Sequence, residues 1–110
     1  MYDFNLYQQQ ALRTAGNHGE FDKTLIYTAL GLTGEAGEVA EIIKKAFFHG
    51  HVLDKEALKK ELGDVLWYLA VMANTLEIPL EDVARHNIEK LAKRYPQGFS
   101  QERSRNRTDN

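Results

Sequence analysis

Proline placement constrains this chain most. There are two prolines, Pro79 and Pro96, and neither interrupts an apolar-periodic run. Proline inside a helix removes a hydrogen bond and clashes with the preceding turn. Residues 1–78 are therefore free to form long helices, and they are rich in Ala, Leu, Glu and Lys, the strong helix formers. No segment alternates apolar and polar positions with period two over β-branched residues. The sequence predicts an all-α chain, and 110 residues make one domain.

The first helix is expected over Asp3 to Ala15, with Phe4, Tyr7, Ala11 and Leu12 inward and Asn5, Gln8, Gln9 and Arg13 outward. Gly16-Asn17-His18-Gly19 breaks it. The second runs from Asp22 or Lys23 to Phe48 on a stripe of Leu25, Ala29, Leu32, Ala36, Val39, Ile43 and Ala46. Gly31, Gly34 and Gly37 lie inside it, each costing about 1 kcal/mol relative to Ala. Such a cost points to close backbone approach, a kink, or room for a ligand. His49-Gly50-His51 ends this helix. Asp54 is placed to cap a third helix over Lys55 to Glu77, buried through Leu58, Leu62, Val65, Leu66, Leu69, Met72, Ala73 and Leu76. Pro79 opens a fourth as its first residue, and Pro96-Gln97-Gly98 stops it. Residues 1–99 form the domain. Gln101 to Asn110 has no apolar residue and reads as a disordered polar tail.

The chain has no cysteine, which excludes disulfides, thiolate zinc sites, iron–sulfur clusters and a cysteine nucleophile. A net charge of −2 argues against nucleic acid or an anionic membrane as the dominant partner, although a local patch survives that argument. No stretch approaches the roughly 20 apolar residues of a membrane span. The opening Met1-Tyr2-Asp3-Phe4-Asn5 lacks the pattern of a secretory signal, so the expected address is the cytoplasm.

The informative residues are carboxylates in the wrong place. Glu35 and Glu38 stand at i and i+3 on the second helix, beside its apolar stripe and among its glycines. Glu61 and Asp64 repeat the spacing on the third, bordered by Leu62, Val65 and Leu66. Two helices joined by so short a turn pack antiparallel, and a rise of about 1.5 Å per residue sets the pairs at similar heights. Four carboxylates then face one another. Two like charges at 4 Å repel by about 4 kcal/mol at an effective dielectric of 20. A hard divalent cation compensates, and magnesium suits phosphate substrates best. No histidine joins the cluster at helical spacing, which disfavours zinc and di-iron patterns. Glu-x-x-Glu is also common on solvated helix faces, so the competing reading is an inert acidic surface.

Three stretches carry a family resemblance. They are Gly31-Leu32-Thr33-Gly34-Glu35-Ala36-Gly37-Glu38-Val39-Ala40-Glu41, then Glu61-Leu62-Gly63-Asp64-Val65-Leu66-Trp67-Tyr68, then Asn87-Ile88-Glu89-Lys90-Leu91-Ala92-Lys93-Arg94-Tyr95-Pro96. Together they strongly resemble the MazG-like nucleotide pyrophosphohydrolases of the all-α NTP pyrophosphatase superfamily. The resemblance runs from about Leu25 to Phe99. It implies a four-helix bundle whose two long antiparallel helices carry the metal site. It also implies Mg²⁺-dependent hydrolysis (Mn²⁺ is an alternative) of nucleoside triphosphates to monophosphate and pyrophosphate, as nucleotide-pool housecleaning. Glu35, Glu38, Glu61 and Asp64 would hold the metal. A carboxylate not fully used in coordination can take a proton from water; Glu38 is assigned that role, with Glu61 beside it among the catalytic residues.

Asn87, Lys90 and Arg94 share one face of the fourth helix, and the resemblance sets them near substrate. Tyr68, four residues past Asp64, packs against sugar or base, or else in the core. Trp67 belongs to the core or a subunit interface. Glu41 and Lys45 read more readily as solvated than as site residues, and His18, His49 and His51 as exposed turn residues. Gly16 to Glu20 and Phe21 to Lys23 are candidates for closing over the base. A phosphoribosyl-ATP or other nucleotide-linked pyrophosphate is an alternative substrate, and a non-catalytic helical interaction module is the alternative outside enzymes. The long helices are apolar over more than one face, so a lone chain would expose a large apolar patch. The expected assembly is a two-fold dimer or a tetramer, with Asn87, Lys90 and Arg94 serving the neighbour's carboxylates.

Overall fold

Helix boundaries follow the capping chemistry closely. The computed structural model describes residues 3–16 and 19–108. Asn17 and His18, within the expected break, lie outside them, as do Met1, Tyr2, Asp109 and Asn110. Helix α1 spans Phe4–Ala11, with Asp3 Oδ1 accepting from the Leu6 N–H at 2.7 Å. A 3₁₀ turn over Leu12–Thr14 then replaces the predicted last turn of α-helix. Helix α2 is Phe21–Phe48, so Phe21 to Lys23 form its first turn. Left-handed Gly50, at φ +74°, lets the His51 N–H reach back to the Lys45 carbonyl at 3.1 Å. Helix α3 is Lys55–Thr75, and Asp54 Oδ1 accepts from the Ala57 N–H at 3.1 Å as expected of a cap. Helix α4 is Leu80–Arg94, with Pro79 at the cap position rather than the first helical one. No strand occurs among the described residues, and the fold class is the all-α one the sequence predicts. No described helix is long and apolar enough to cross a membrane.

Helix α3 stops two residues before the predicted Glu77 because Glu77 is left-handed, at φ 60°. Its N–H bonds the Asn74 carbonyl at 2.9 Å, and the Ile78 N–H bonds the Ala73 carbonyl at 2.8 Å. This pair of bonds closes a helix end that usually employs glycine. The C-terminal segment also departs from expectation. Gln101–Arg105 forms a short helix, α5, where the sequence suggests disorder. Ser100 Oγ caps it by accepting from the Arg103 N–H at 3.3 Å, and Arg103 Nε donates to the Arg94 carbonyl at 2.6 Å.

Helices α2 and α3 form the main antiparallel pair, and α1 and α4 pack near the α3–α4 turn. Gln8, expected to face solvent, is buried at that junction. Its amide nitrogen donates to the Ala70 and Ile78 carbonyls, both at 3.1 Å, and its oxygen accepts from the Leu80 N–H at 3.0 Å. One side chain thereby ties three helices together. Trp67 Nε1 donates to the Ala11 carbonyl at 3.1 Å and to Thr14 Oγ1 at 3.0 Å, pinning α3 to the end of α1.

The core is thin. Ala11, Ala70, Ala73 and Leu80 form its buried cluster, with Tyr7 and Trp67 against it. Meanwhile Leu30 is 70% exposed, Ile88 64% and Phe48 81%. The chain exposes 8521 Å², whereas a compact monomer of this mass exposes about 6,200 Å². Its radius of gyration is 17.0 Å, against about 13 Å for a compact domain of this length.

Candidate metal centre

Facing turns of α2 and α3 build the site. Glu35 comes from α2, and Glu61 and Asp64 come from α3. One carboxylate oxygen from each lies within 4.8 Å of the others. Glu35 and Glu61 are half-buried and Asp64 is exposed. One oxygen of Glu61, Oε2, is buried without a hydrogen-bond partner. The Glu35 carboxyl is pushed up to about 7, first by a hydrogen bond with Glu61, then by desolvation, then by the charges of Asp64, Glu61 and Glu38. Carboxylates this close need either a shared proton or a cation between them. The all-oxygen donor set, one of whose residues carries an orphaned buried oxygen, fits a hard divalent ion.

Glu38, the fourth expected ligand, lies outside this group, exposed one turn further along α2. Its charge still reaches Glu35. Glu41 pairs instead with Lys44 at 3.0 Å and Lys45 at 4.0 Å, and its carboxyl is held below the ordinary range, first by the Lys44 hydrogen bond. Both Glu41 and Lys45 are thus engaged with each other on the solvated face. Asn87, Lys90 and Arg94 ride on α4, which packs mainly on α1 and α3. The carboxylate group includes no α4 residue.

Tyrosines line the carboxylates, and the sequence reading named one of them. The Tyr68 hydroxyl is pushed up to about 12 by a hydrogen bond with Tyr27, by burial, and by the charges of Tyr27, Glu35 and Asp64. The Tyr27 and Tyr68 rings lie 5.8 Å apart, and Trp67 meets Tyr68 edge-on at 4.9 Å. Helix α1 contributes Tyr7, whose hydroxyl is raised by burial and by the Asp64 charge. The available signal for Tyr7 is a polar-tipped aromatic on the inward side of a helix; Tyr27 stands off the apolar stripe of α2 and is 40% exposed, so its spacing gives none.

Gly31 explains how Tyr68 fits. A Cβ at Gly31 would overlap Cε1, Cζ and Cδ1 of the Tyr68 ring, whereas one at Gly34 or Gly37 meets nothing within 4 Å. Of the three glycines, Gly31 is the one a close approach within the chain requires. Gly31→Ala is expected to displace Tyr68 and cost about 1–3 kcal/mol by overpacking. Gly34→Ala is expected to gain up to about 1 kcal/mol of helix propensity. Thermal denaturation should rank Gly31→Ala below wild type and Gly34→Ala at or above it; the reverse order would disprove the contact.

An all-α chain with three carboxylates on a central helix pair defines a class of acidic-site helical proteins. The pattern describing the MazG nucleotide pyrophosphohydrolase domain matches residues 23–99, and the chain belongs to that family. It is 37% identical over 111 residues to the protein named Gene 37 protein of Mycobacterium phage L5, covering 94% of this chain and 97% of that one. No solved structure is significantly similar.

Proposed function

We propose that this chain hydrolyses nucleoside triphosphates between the α and β phosphates, releasing monophosphate and pyrophosphate, with Mg²⁺ as the cation. The observation that carries the reading is the convergence of the Glu35, Glu61 and Asp64 carboxylates, together with one Glu61 oxygen that is buried and unpartnered. Glu35, Glu61 and Asp64 would hold a divalent cation, which would supply positive charge against phosphate oxygens and lower the pKa of water. Glu38, exposed one turn away, is free to complete the ligand set or to accept the proton of the attacking water, with Glu61 as the other catalytic carboxylate. A water oxygen bonds to the α or the β phosphorus, the bridging P–O bond at that phosphorus breaks, the water's proton passes to the carboxylate base, and monophosphate and pyrophosphate separate. Tyr68, steadied by Tyr27, offers a wall for sugar or base. Product identification over a panel of triphosphates and nucleotide-linked pyrophosphates tests this. Pyrophosphate is the expected product, and orthophosphate with a diphosphate left behind would refute the reading.

The same proposal includes a second copy of the chain. The exposed Leu30, Phe47, Phe48 and Ile88 and the thin core call for cover. A two-fold partner, in a dimer or a tetramer, supplies it and brings its Asn87, Lys90 and Arg94 to this chain's carboxylates. Sedimentation at micromolar concentration should give at least twice the 12.6 kDa chain mass. An active species at the chain mass itself would rule this assembly out.

A further inference from the structure

Helix α2 is covered on one side. Among the described residues it packs along α3, while α1 and α4 gather on α3 and on each other. Its outer side carries Ile26, Leu30, Thr33, Gly37 and Ala40, spaced by four and three residues in turn, and Lys44 and Phe47 continue the row. That spacing averages 3.5 residues, the repeat along which one helix meets another in a continuous seam. Every member is exposed, Ile26 to 60%, Leu30 to 70% and Phe47 to 71%. The two polar members are already served within the helix. Thr33 Oγ1 donates to the Ala29 carbonyl at 3.2 Å. The Lys44 ammonium is drawn 3.0 Å to Glu41 at the rim, which leaves its apolar stem along the face.

The row has the form of a surface that meets its own copy. It is large at both ends and small in the middle, with Gly37 near its centre. A Cβ at Gly37 meets nothing within 4 Å, so the fold of the single chain gives this helix-weakening residue no use. A two-fold contact requires a patch complementary to itself. With two α2 helices antiparallel, Ile26 faces the partner's Phe47, Leu30 faces the stem of the partner's Lys44, and the two Gly37 backbones approach at the axis. The area also calls for it. The chain exposes about 2,300 Å² more than a compact monomer of its mass, and one standard interface takes roughly 800 Å² from each partner. Gly37 lies about 160° round the helix from Glu35. A copy seated on this row is therefore on the far side of α2 from the carboxylates and does not bring its α4 to them; the copy that does so is a different one.

We propose that the outer face of α2 is a second self-association surface, on which two of the two-fold dimers join through antiparallel α2 helices crossing at Gly37, so that the assembly is a tetramer. This rests on the two-fold partner of the preceding reading and not on its hydrolytic chemistry. The chain has no cysteine, so single cysteines report the contact by disulfide formation under mild oxidation. Gly37→Cys is expected to link to itself, giving a covalent pair at twice the 12.6 kDa chain mass, and Lys60→Cys on α3 to stay unlinked. Two Ile26 positions in the antiparallel pair stand about 33 Å apart along the helices, so Ile26→Cys alone should not link. Mixed with Phe47→Cys and re-equilibrated, it should. Wild type should sediment at four chain masses, and Leu30→Glu, with helix content checked by circular dichroism, at two with pyrophosphate release retained. Absence of the Gly37 link, self-linking by Ile26→Cys, or unchanged mass in a folded Leu30→Glu would each overturn the surface; where Leu30→Glu does not fold, the cysteine links decide. An active wild-type species of two chains would overturn the tetramer and leave the two-fold partner standing, whereas a single-chain species would remove both. The links are read without turnover, so failure of the hydrolytic reading leaves them standing.

Discussion

Glu35→Gln and Asp64→Asn should each lower pyrophosphate release by about 10²- to 10³-fold, the scale on which removing one preorganised electrostatic contact acts. Each replacement keeps side-chain size and removes a ligand charge from a group whose oxygens lie within 4.8 Å of one another. Neither should change the helical circular dichroism, because neither residue caps a helix or lies in the buried core cluster. Glu41→Gln is the matched control. It removes a carboxylate two turns from Glu35 that is engaged by Lys44 and Lys45, and turnover should stay near normal. Wild-type rates in Asp64→Asn at saturating magnesium would mean the site is elsewhere.

A second large effect concerns stability without a cation. Glu35 has its folded-state carboxyl raised from 4.5 to about 7. Between those values the folded state binds more protons than the unfolded state, so stability falls as pH rises through the window. In EDTA the melting temperature should therefore drop between pH 5 and pH 8. Glu35→Gln should flatten that slope and melt higher than wild type at pH 8, because the repelling charge is gone. Magnesium competes with the shared proton, so its stabilisation should be larger at pH 8 than at pH 5. A wild-type slope identical to that of Glu35→Gln would remove Glu35 as its source.

The long helices were legible because their signals are local. Asp54 stands immediately before an apolar-periodic run, and it caps α3 as read. The carboxylate spacing was legible for the same reason: i and i+3 on adjacent helices fixes a common face. What escaped depends on distant partners. Gln8 has an ordinary amide side chain in a polar row, and it is buried only because Ala70, Ile78 and Leu80 converge on it from more than sixty positions away. The glycine triplet showed that something approaches α2, but not that Tyr68 approaches at Gly31. Helix α5 has no apolar residue to reveal it and is held by the Ser100 cap and the Arg103 link to Arg94. Glu38 has the same i, i+3 spacing from Glu35 that Asp64 has from Glu61, yet its carboxylate is not among the three that converge.

The thin core has a consequence for how the chain behaves on dilution. If the proposed second copy supplies most of the apolar cover, folding and association become one reaction, and its equilibrium contains the total chain concentration. Each tenfold dilution then lowers the stability of a dimer by about 1.4 kcal/mol. A sample that looks robust at the concentrations used for spectroscopy would melt at a lower temperature in a dilute assay. Helix content and hydrolytic rate would then be lost together along one dilution curve, and the abundance of the chain would itself set the fraction that is folded.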